Sequence, residues 1–142
     1  MDIHRSALVP FTPLQMFALV RDVPRYPEFL RWCRDTTVHE EDGNQQLATL
    51  EVTVAGFVQS FTTRNRLEPH ERITLSLVDG PFTALGGEWT FRALGEDGCK
   101  VSLSLGFEFS SGVLAGAFRR GFAQVADHLL QDFVARAEAL HG

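Results

Sequence analysis

The sequence is short of cysteine, of basic residues and of long apolar runs, and each shortage excludes a class of protein. Its two cysteines, Cys33 and Cys99, form neither a disulfide framework nor a CxxC metal pair. No apolar run approaches the ~18 residues that a transmembrane helix needs. Thirteen Lys and Arg against eighteen Asp and Glu leave a net charge of −5. The chain as a whole therefore does not attract nucleic acid, and no DNA partner is expected.

Targeting signals are missing as well. The N-terminal segment MDIHRSALVP has neither the apolar core of a signal peptide nor the basic, acid-free composition of a transit peptide. Hydrophobic residues make up 44% of the chain and charged residues 22%, which is ordinary for a globular protein. We therefore expect one domain spanning residues 1–142 in a bacterial cytoplasm.

Catalytic and metal-binding patterns are also lacking. No Ser/His/Asp or HExxH spacing includes any of the histidines, which are His4, His39, His70, His128 and His141. Neighbouring arginines can lower the pKa of the Cys33 thiol, but a buried cysteine that packs as a small hydrophobe is the favoured interpretation. We expect neither catalysis nor a metal site.

The chain begins with a predicted strand over residues 3–9, which two short helices follow. Thr12 is positioned to cap the first helix, with Pro13 at its first position and Gln15 completing a capping box. Asp22 is predicted to cap the second helix, which must be short because it contains prolines. These local signals predict a strand followed by two helices.

The rest of the chain predicts strands and one long helix. Turn-forming residues, among them 55–56 and 86–87, divide residues 33–109 into short antiparallel strands, so that the sheet has about six strands after the helices. Ser110 or Ser111 is predicted to cap the final helix. Its apolar stripe, at about 100° per residue, consists of Phe118, Phe122, Val125, Leu129, Phe133 and Leu140.

A one-sided sheet and an amphipathic helix each need a cover, so we expect a curved antiparallel sheet around the long helix. Such packing leaves a space between the two layers. The inward phase of the strand at residues 57–67 places Gln59 and Asn65 toward that space. Two interpretations stay open: the two amides are polar anchors in a pocket, or they reach solvent near the strand ends.

The segment YPEFLRWC at residues 26–33 concentrates the only Tyr, one of two Trp and one of two Cys. We predict a rigid aromatic plug at one end of the pocket, with Tyr26 and Trp32 at the boundary with water. Phe29 and Leu30 fit a pure core role equally well.

Four segments together carry a family resemblance. They are DVPRYPEFLRWC at 22–33, VAGFVQSFTTRNRL at 54–67, GPFTALGGEWTF at 80–91 and VSLSLGFEFSSGVL at 101–114. They resemble the coenzyme Q-binding START-domain proteins, whose bacterial members include the ribosome-association toxin (RatA) type and proteins labelled polyketide cyclases. The resemblance covers essentially the whole chain. It implies an α+β helix-grip fold of the START or birch-pollen-allergen type.

The resemblance implies a tunnel under the long helix that holds ubiquinone or a similar prenyl lipid, with no required cofactor. The main functional expectation is therefore a non-catalytic quinone-binding protein that supports respiration, with transient contact with the inner membrane surface. Residues 112–121 and the YPEFL plug are expected to open the tunnel. The expected ligand-binding residues are Tyr26, Phe29, Trp32, Phe57, Gln59, Phe61, Asn65, Trp89, Phe91, Phe107 and Phe122.

Two alternatives stand beside this expectation. A RatA-type protein binds the large ribosomal subunit and blocks subunit joining. In that case the candidates for contacting ribosomal RNA are the four arginines around the plug, Arg21, Arg25, Arg31 and Arg34, which otherwise form a solvated rim. The third alternative, an enzyme of the polyketide cyclase or aromatase type, is the least favoured.

Overall fold

The structure is a computed structural model that describes residues 1–110 and 116–142. Its elements follow the predicted order of one strand, two short helices, six strands and one long helix. They are β1 (Asp2–Val9), α1 (Pro13–Arg21), a 3₁₀ helix (Val23–Glu28), β2 (Cys33–Glu41), β3 (Gln45–Val54), β4 (Phe57–Glu68), β5 (Arg72–Asp79), β6 (Phe82–Leu94), β7 (Gly98–Phe109) and α2 (Gly116–His141).

The strands form one antiparallel sheet in the order β1-β7-β6-β5-β4-β3-β2. From β2 to β7 each strand pairs with the next along the chain, and β1 joins the far edge beside β7. α2 packs on one face of this sheet through buried residues three and four positions apart, namely Phe118, Phe122, Ala126, Leu130, Phe133 and Ala137. The predicted α+β helix-grip fold is confirmed.

The start of α1 follows from its local sequence. The Thr12 hydroxyl accepts a hydrogen bond from the Gln15 backbone N–H at 3.2 Å, and the Gln15 side-chain oxygen accepts from the Thr12 N–H at 2.9 Å. Pro13 occupies the first turn, where its missing N–H costs nothing. The predicted capping box is confirmed.

Asp22 occupies the predicted N-cap position of the second helix, and its backbone carbonyl accepts from the Arg25 N–H at 3.1 Å. Its side chain makes no capping hydrogen bond to the following helix and pairs with Arg25 at 3.1 Å. Its backbone N–H donates to the Ala18 carbonyl at 3.1 Å, so Asp22 ends α1. Asp22 is thus the C-cap of α1 and the N-cap of the 3₁₀ helix, and its backbone alone serves both helix ends.

Gly86 and Gly87, predicted as a break between strands, lie inside β6. A Cβ added to Gly87 would lie 2.1 Å from the Ser104 carbonyl oxygen of β7. Glycine is therefore required here for the close approach of two strand backbones, and not for a turn.

The predicted stripe of α2 needs a correction at its C-terminal end. Leu140 is 51% exposed and lies in a surface groove beside Leu14 of α1. Two small residues, Ala126 and Ala137, occupy buried positions where the helix approaches its neighbours. Hydrophobicity alone does not predict that these alanines belong to the buried stripe. Of the two predicted caps, Ser111 lies outside the described residues, as do residues 112–115 of the segment predicted to open the tunnel. Residues 116–121 of that segment are helical and belong to α2. Within residues 1–110 and 116–142, no helix has the length and apolar character needed to cross a membrane.

A candidate ligand cavity between the sheet and the long helix

A cavity of about 90 Å³ lies between the sheet and α2. Its wall is mainly apolar and receives side chains from α1, the 3₁₀ helix, β3 to β7 and α2. The predicted ligand-binding residues that line it are Tyr26, Trp32, Phe61, Asn65, Trp89 and Phe122. The structure thus brings together residues that are up to 96 positions apart in the sequence, because β4, β6 and α2 all pass the same point.

Two predicted residues lie at the outer end of β4, away from the cavity. Phe57 is 36% exposed, with its ring edge-to-face against Phe118 at 6.3 Å. Gln59 is half-buried and pairs across the strands with Val52. The predicted alternation is correct, but the cavity begins only at Phe61. Roles for Phe57 and Gln59 in ligand binding remain predictions.

Three other predicted residues pack in the aromatic core. Phe29 lies edge-to-face with Phe133 at 5.2 Å, below the Arg136 guanidinium at 5.0 Å. Phe91 and Phe107 are buried and lie outside the cavity lining. Since these rings support the walls, any ligand contact by them requires rearrangement, and such a contact also stays a prediction.

Three buried polar residues, Gln46, Thr63 and Asn65, form a hydrogen-bonded chain in the cavity wall. The Thr63 hydroxyl donates to Asn65 Oδ1 at 2.8 Å, and Asn65 Nδ2 donates to Gln46 Oε1 at 2.8 Å. Gln46 Nε2 then donates to the Glu41 carboxylate at 2.6 Å and to the Arg21 carbonyl at 2.9 Å. Every donor points toward Glu41, so the chain offsets the cost of burying three polar side chains.

The sequence interpretation missed Gln46, which stands near the first position of its strand. The sequence contains a signal for it: a hairpin turned at the predicted break of residues 55–56 pairs Gln46 with Asn65, and the structure has this register. The acceptors around Gln46 Nε2 define the orientation of its amide. One Asn65 amide hydrogen and the Thr63 lone pairs stay available, and a carbonyl or hydroxyl group of a ligand can bind there.

Tyr26 lines the cavity, but its hydroxyl proton is already used. The hydroxyl donates to the Val20 carbonyl oxygen, and burial raises the pKa of Tyr26 well above its usual value. Tyr26 can therefore offer a ligand only a lone pair, whereas holding a quinone carbonyl requires a donor. Among the predicted polar lining residues Tyr26, Gln59 and Asn65, Asn65 alone both lines the cavity and has a spare hydrogen.

Cys33 does not have the properties of a nucleophile. It is buried, its Sγ contacts the Asp35 carbonyl at 3.8 Å, and burial raises the pKa of its thiol to about 11. The thiol is therefore protonated near neutral pH. The described part of the chain contains no cluster of three or more His, Cys, Asp or Glu residues able to hold a metal ion.

The four arginines around the plug differ in their partners. Arg31 has no carboxylate within 4 Å among the described residues. The other three form surface ion pairs: Arg21 with Glu41 at 3.6 Å, Arg25 with Asp22 and Glu28 at 3.1 and 3.3 Å, and Arg34 with Glu51 at 3.5 Å. An RNA phosphate would have to compete with these carboxylates.

A curved antiparallel sheet that encloses a mainly apolar cavity beneath its C-terminal helix defines the class: a helix-grip protein of the START type. The family described as polyketide cyclase / dehydrase and lipid transport matches residues 9–134. The chain belongs to this family.

Similar proteins differ in how closely they match. A ribosome association toxin RatA from Vibrio cholerae is 45% identical over 141 residues, covering 99% of this chain and 98% of the relative. The mitochondrial coenzyme Q-binding protein coq10 from Schizosaccharomyces pombe is 26% identical over 141 residues, covering 96% and 86%. The crystal structure of the Zhui aromatase/cyclase from Streptomyces sp. R1128 superposes with a TM-score of 0.84 at 20% identity, covering 97% and 93%. That last likeness shows the fold alone.

Proposed function

We propose that this protein associates with the large ribosomal subunit, as a RatA-type protein. The observation that carries the proposal is the end-to-end similarity to the Vibrio cholerae RatA. At 45% of 141 residues, about 63 positions are identical. The structure buries 33 of the described residues, so at least about 30 of the identical positions lie outside the buried core. The quinone-binding alternative has a much less similar relative to support it.

Charge limits how such an association can work. With a net charge of −5, the protein must present an oriented cationic patch to RNA. Arg66, Arg92 and Lys100 have no carboxylate within 4 Å among the described residues. Arg92 and Lys100 are directly opposite each other in the β6–β7 pair, and like charges in that arrangement oppose folding. A phosphate between them would relieve this repulsion, which makes this outer face of the sheet a stronger candidate than the paired arginines.

Co-sedimentation with purified large ribosomal subunits at two salt concentrations tests the proposal. The wild-type protein should bind at low salt and lose affinity steeply as salt rises. The double variant Arg92→Gln/Lys100→Gln should bind more weakly, with a log–log salt slope reduced by about 2. Arg25→Gln, which removes a cation already paired with two carboxylates, is the matched control. Absence of wild-type co-sedimentation at low salt would disprove the association.

A second function, the binding of a hydrophobic ligand, is supported by the cavity and its Asn65 hydrogen. The cavity of about 90 Å³ is far smaller than the roughly 300–1,000 Å³ of sites for drug-sized ligands. Ubiquinone or another prenyl lipid would therefore have to displace wall side chains.

Titration with quinones of increasing tail length, followed by quenching of Trp32 and Trp89 fluorescence, tests this second function. If the tail enters the protein, affinity rises with each isoprene unit, at ~25 cal/mol per Å² of buried apolar area, and then reaches a plateau. Equal affinity for short and long tails would show that no tail is held. Solvent extraction of the purified protein with mass spectrometry identifies any lipid that it carries.

A further inference from the structure

A surface groove of about 610 Å³ lies next to the cavity. It runs between α2 and two parts of the chain, residues 29–32 and the β3 end at residues 53–55. Trp32 and Val125 line both spaces. These two side chains therefore form the wall between the enclosed cavity and the open groove.

The wall of the groove contains a buried polar group whose hydrogen bonding is incomplete. The Nε1–H of Trp32 is buried and makes no hydrogen bond of full geometry to any described residue. Burying a donor without an acceptor costs free energy, so such a group is expected to have a use. The remaining bulk of Trp32 is half-buried and belongs to the wall.

A carboxylate lies beside this donor. Asp132 is half-buried on α2 and lines the same groove, as does His128 one turn earlier. Burial raises the pKa of Asp132, and a hydrogen bond with the Trp32 indole and the charge of His128 oppose that rise. The Asp132 carboxylate therefore faces the Trp32 N–H, but the contact falls short of full hydrogen-bond geometry. A donor and an acceptor at adjacent positions suit a hydroxyl group, which can accept from Trp32 and donate to Asp132 at the same time.

We propose that the groove holds the uncharged, hydroxyl-bearing head of a single-chain amphiphile whose chain passes between Trp32 and Val125 into the cavity. This rests on the proposed binding of a hydrophobic ligand. The head then takes none of the cavity volume, but the chain still has to displace wall side chains to enter a cavity of about 90 Å³.

An anionic head is disfavoured at the same site. A carboxylate would lie close to Asp132, where partial burial strengthens the repulsion between like charges. Arg31 also lines the groove, but it is exposed, so solvent screens its attraction. The structure therefore selects heads by charge as well as by hydrogen bonding.

Isothermal titration of the full chain with two probes of equal chain length tests this inference. The probes are 1-monodecanoylglycerol and decanoate, both below their critical micelle concentrations. The wild-type protein should bind the glycerol ester about tenfold more tightly, a factor that one hydrogen bond and the avoided repulsion can supply. Asp132→Asn should strengthen decanoate binding and reduce this preference several-fold.

Two tryptophan variants locate the contact. Trp32→Phe keeps an aromatic wall but removes the N–H, and should weaken glycerol ester binding several-fold with little effect on decanoate. Trp89→Phe, which changes the deep cavity wall, is the matched control and should affect both probes alike. Circular dichroism and thermal unfolding establish that each variant is folded.

Failure of the head-group assignment and failure of ligand binding itself give different results. If both probes bind the wild-type protein equally and Asp132→Asn changes neither affinity, the head does not lie in the groove, although ligand binding stands. If neither probe binds, ligand binding itself is overturned together with this inference. A preference for decanoate would overturn the assigned charge selection.

Discussion

Two polar clusters lie on either side of Trp32 and Val125, and they differ in how their hydrogen bonds are completed. In the cavity, Gln46, Thr63 and Asn65 form a chain that ends on a carboxylate. In the groove, the Trp32 N–H makes no hydrogen bond of full geometry to any described residue, although Asp132 lines the same space.

The difference separates a structural role from a binding role. The inner chain offsets its own desolvation, so it stabilises the fold and leaves only one amide hydrogen and the hydroxyl lone pairs for a ligand. The groove pair leaves part of its desolvation cost uncompensated, which a bound hydroxyl would remove. Variants on the two sides should therefore behave differently in unfolding experiments.

The largest expected effect is on the free energy of unfolding, at a residue whose aromatic contacts support both the cavity and the groove. Phe133 is buried and lies edge-to-face with Tyr26, Phe29 and Trp89 at 5.4, 5.2 and 5.1 Å. Phe133→Ala should lower the free energy of unfolding by about 3–5 kcal/mol, measured by urea denaturation. Leu140→Ala, at an exposed position of the same helix, is the control and should stay within about 0.5 kcal/mol. Equal losses would contradict the packing of α2.

Asn65→Leu breaks the inner chain and should destabilise by about 1–3 kcal/mol, because it leaves Gln46 Oε1 and the Thr63 hydroxyl unpaired. Gln59→Leu, on the same strand but outside the cavity, should cost less. Trp32→Phe removes a donor whose hydrogen bonding is incomplete and should also cost less than Asn65→Leu. If Trp32→Phe is the more destabilising of the two, the contrast between the clusters fails. Guanidinium titration followed by circular dichroism gives all three values.

The substitution Gly121→Ala tests the contact of α2 with the β3–β4 hairpin at the end of the groove. A Cβ at this position would lie 2.4 Å from Val54 Cγ1. Alanine is intrinsically better than glycine in a helix by up to ~1 kcal/mol, but overlap in a packed site costs about 1–3 kcal/mol. We expect a net loss of about 1 kcal/mol in Gly121→Ala. Gly43→Ala is the control, since nothing lies within 4 Å of that Cβ. A more stable Gly121→Ala protein would show that the helix and hairpin do not touch.

The smallest expected effect concerns Asp132. Because the folded protein raises the pKa of this carboxyl, ionising it costs stability at pH values above the folded-state pKa. This cost disappears below the unfolded-state pKa of about 3.9. Asp132→Asn should therefore raise the melting temperature slightly at pH 7 and leave it unchanged near pH 3. Asp97→Asn, in the exposed β6–β7 turn, is the control. A lower melting temperature at pH 7 would mean that the Asp132 charge stabilises the fold.

Much of the fold could be predicted because its signals are local. The capping box at Thr12 and Gln15 needs only four residues, and the alternation of β7 needs only that strand. Gly87 was misassigned because its role depends on an adjacent strand. The Asp22 side chain does not form the predicted cap because the residue also ends the preceding helix. The candidate site was predicted less completely, since alternation tells which face a side chain occupies but not how far along the strand the helix covers it.

The sequence by itself determined the element order, the aromatic segment at residues 26–33 and the inward orientation of Asn65, because periodicity and capping act over a few residues. The tertiary structure decided the rest. It joined Asn65 to Gln46 across 19 positions, paired three of the four plug arginines with carboxylates, and placed Trp32 between cavity and groove. These features depend on strand register and on the path of α2, and both are set by the packing of distant apolar surfaces against each other.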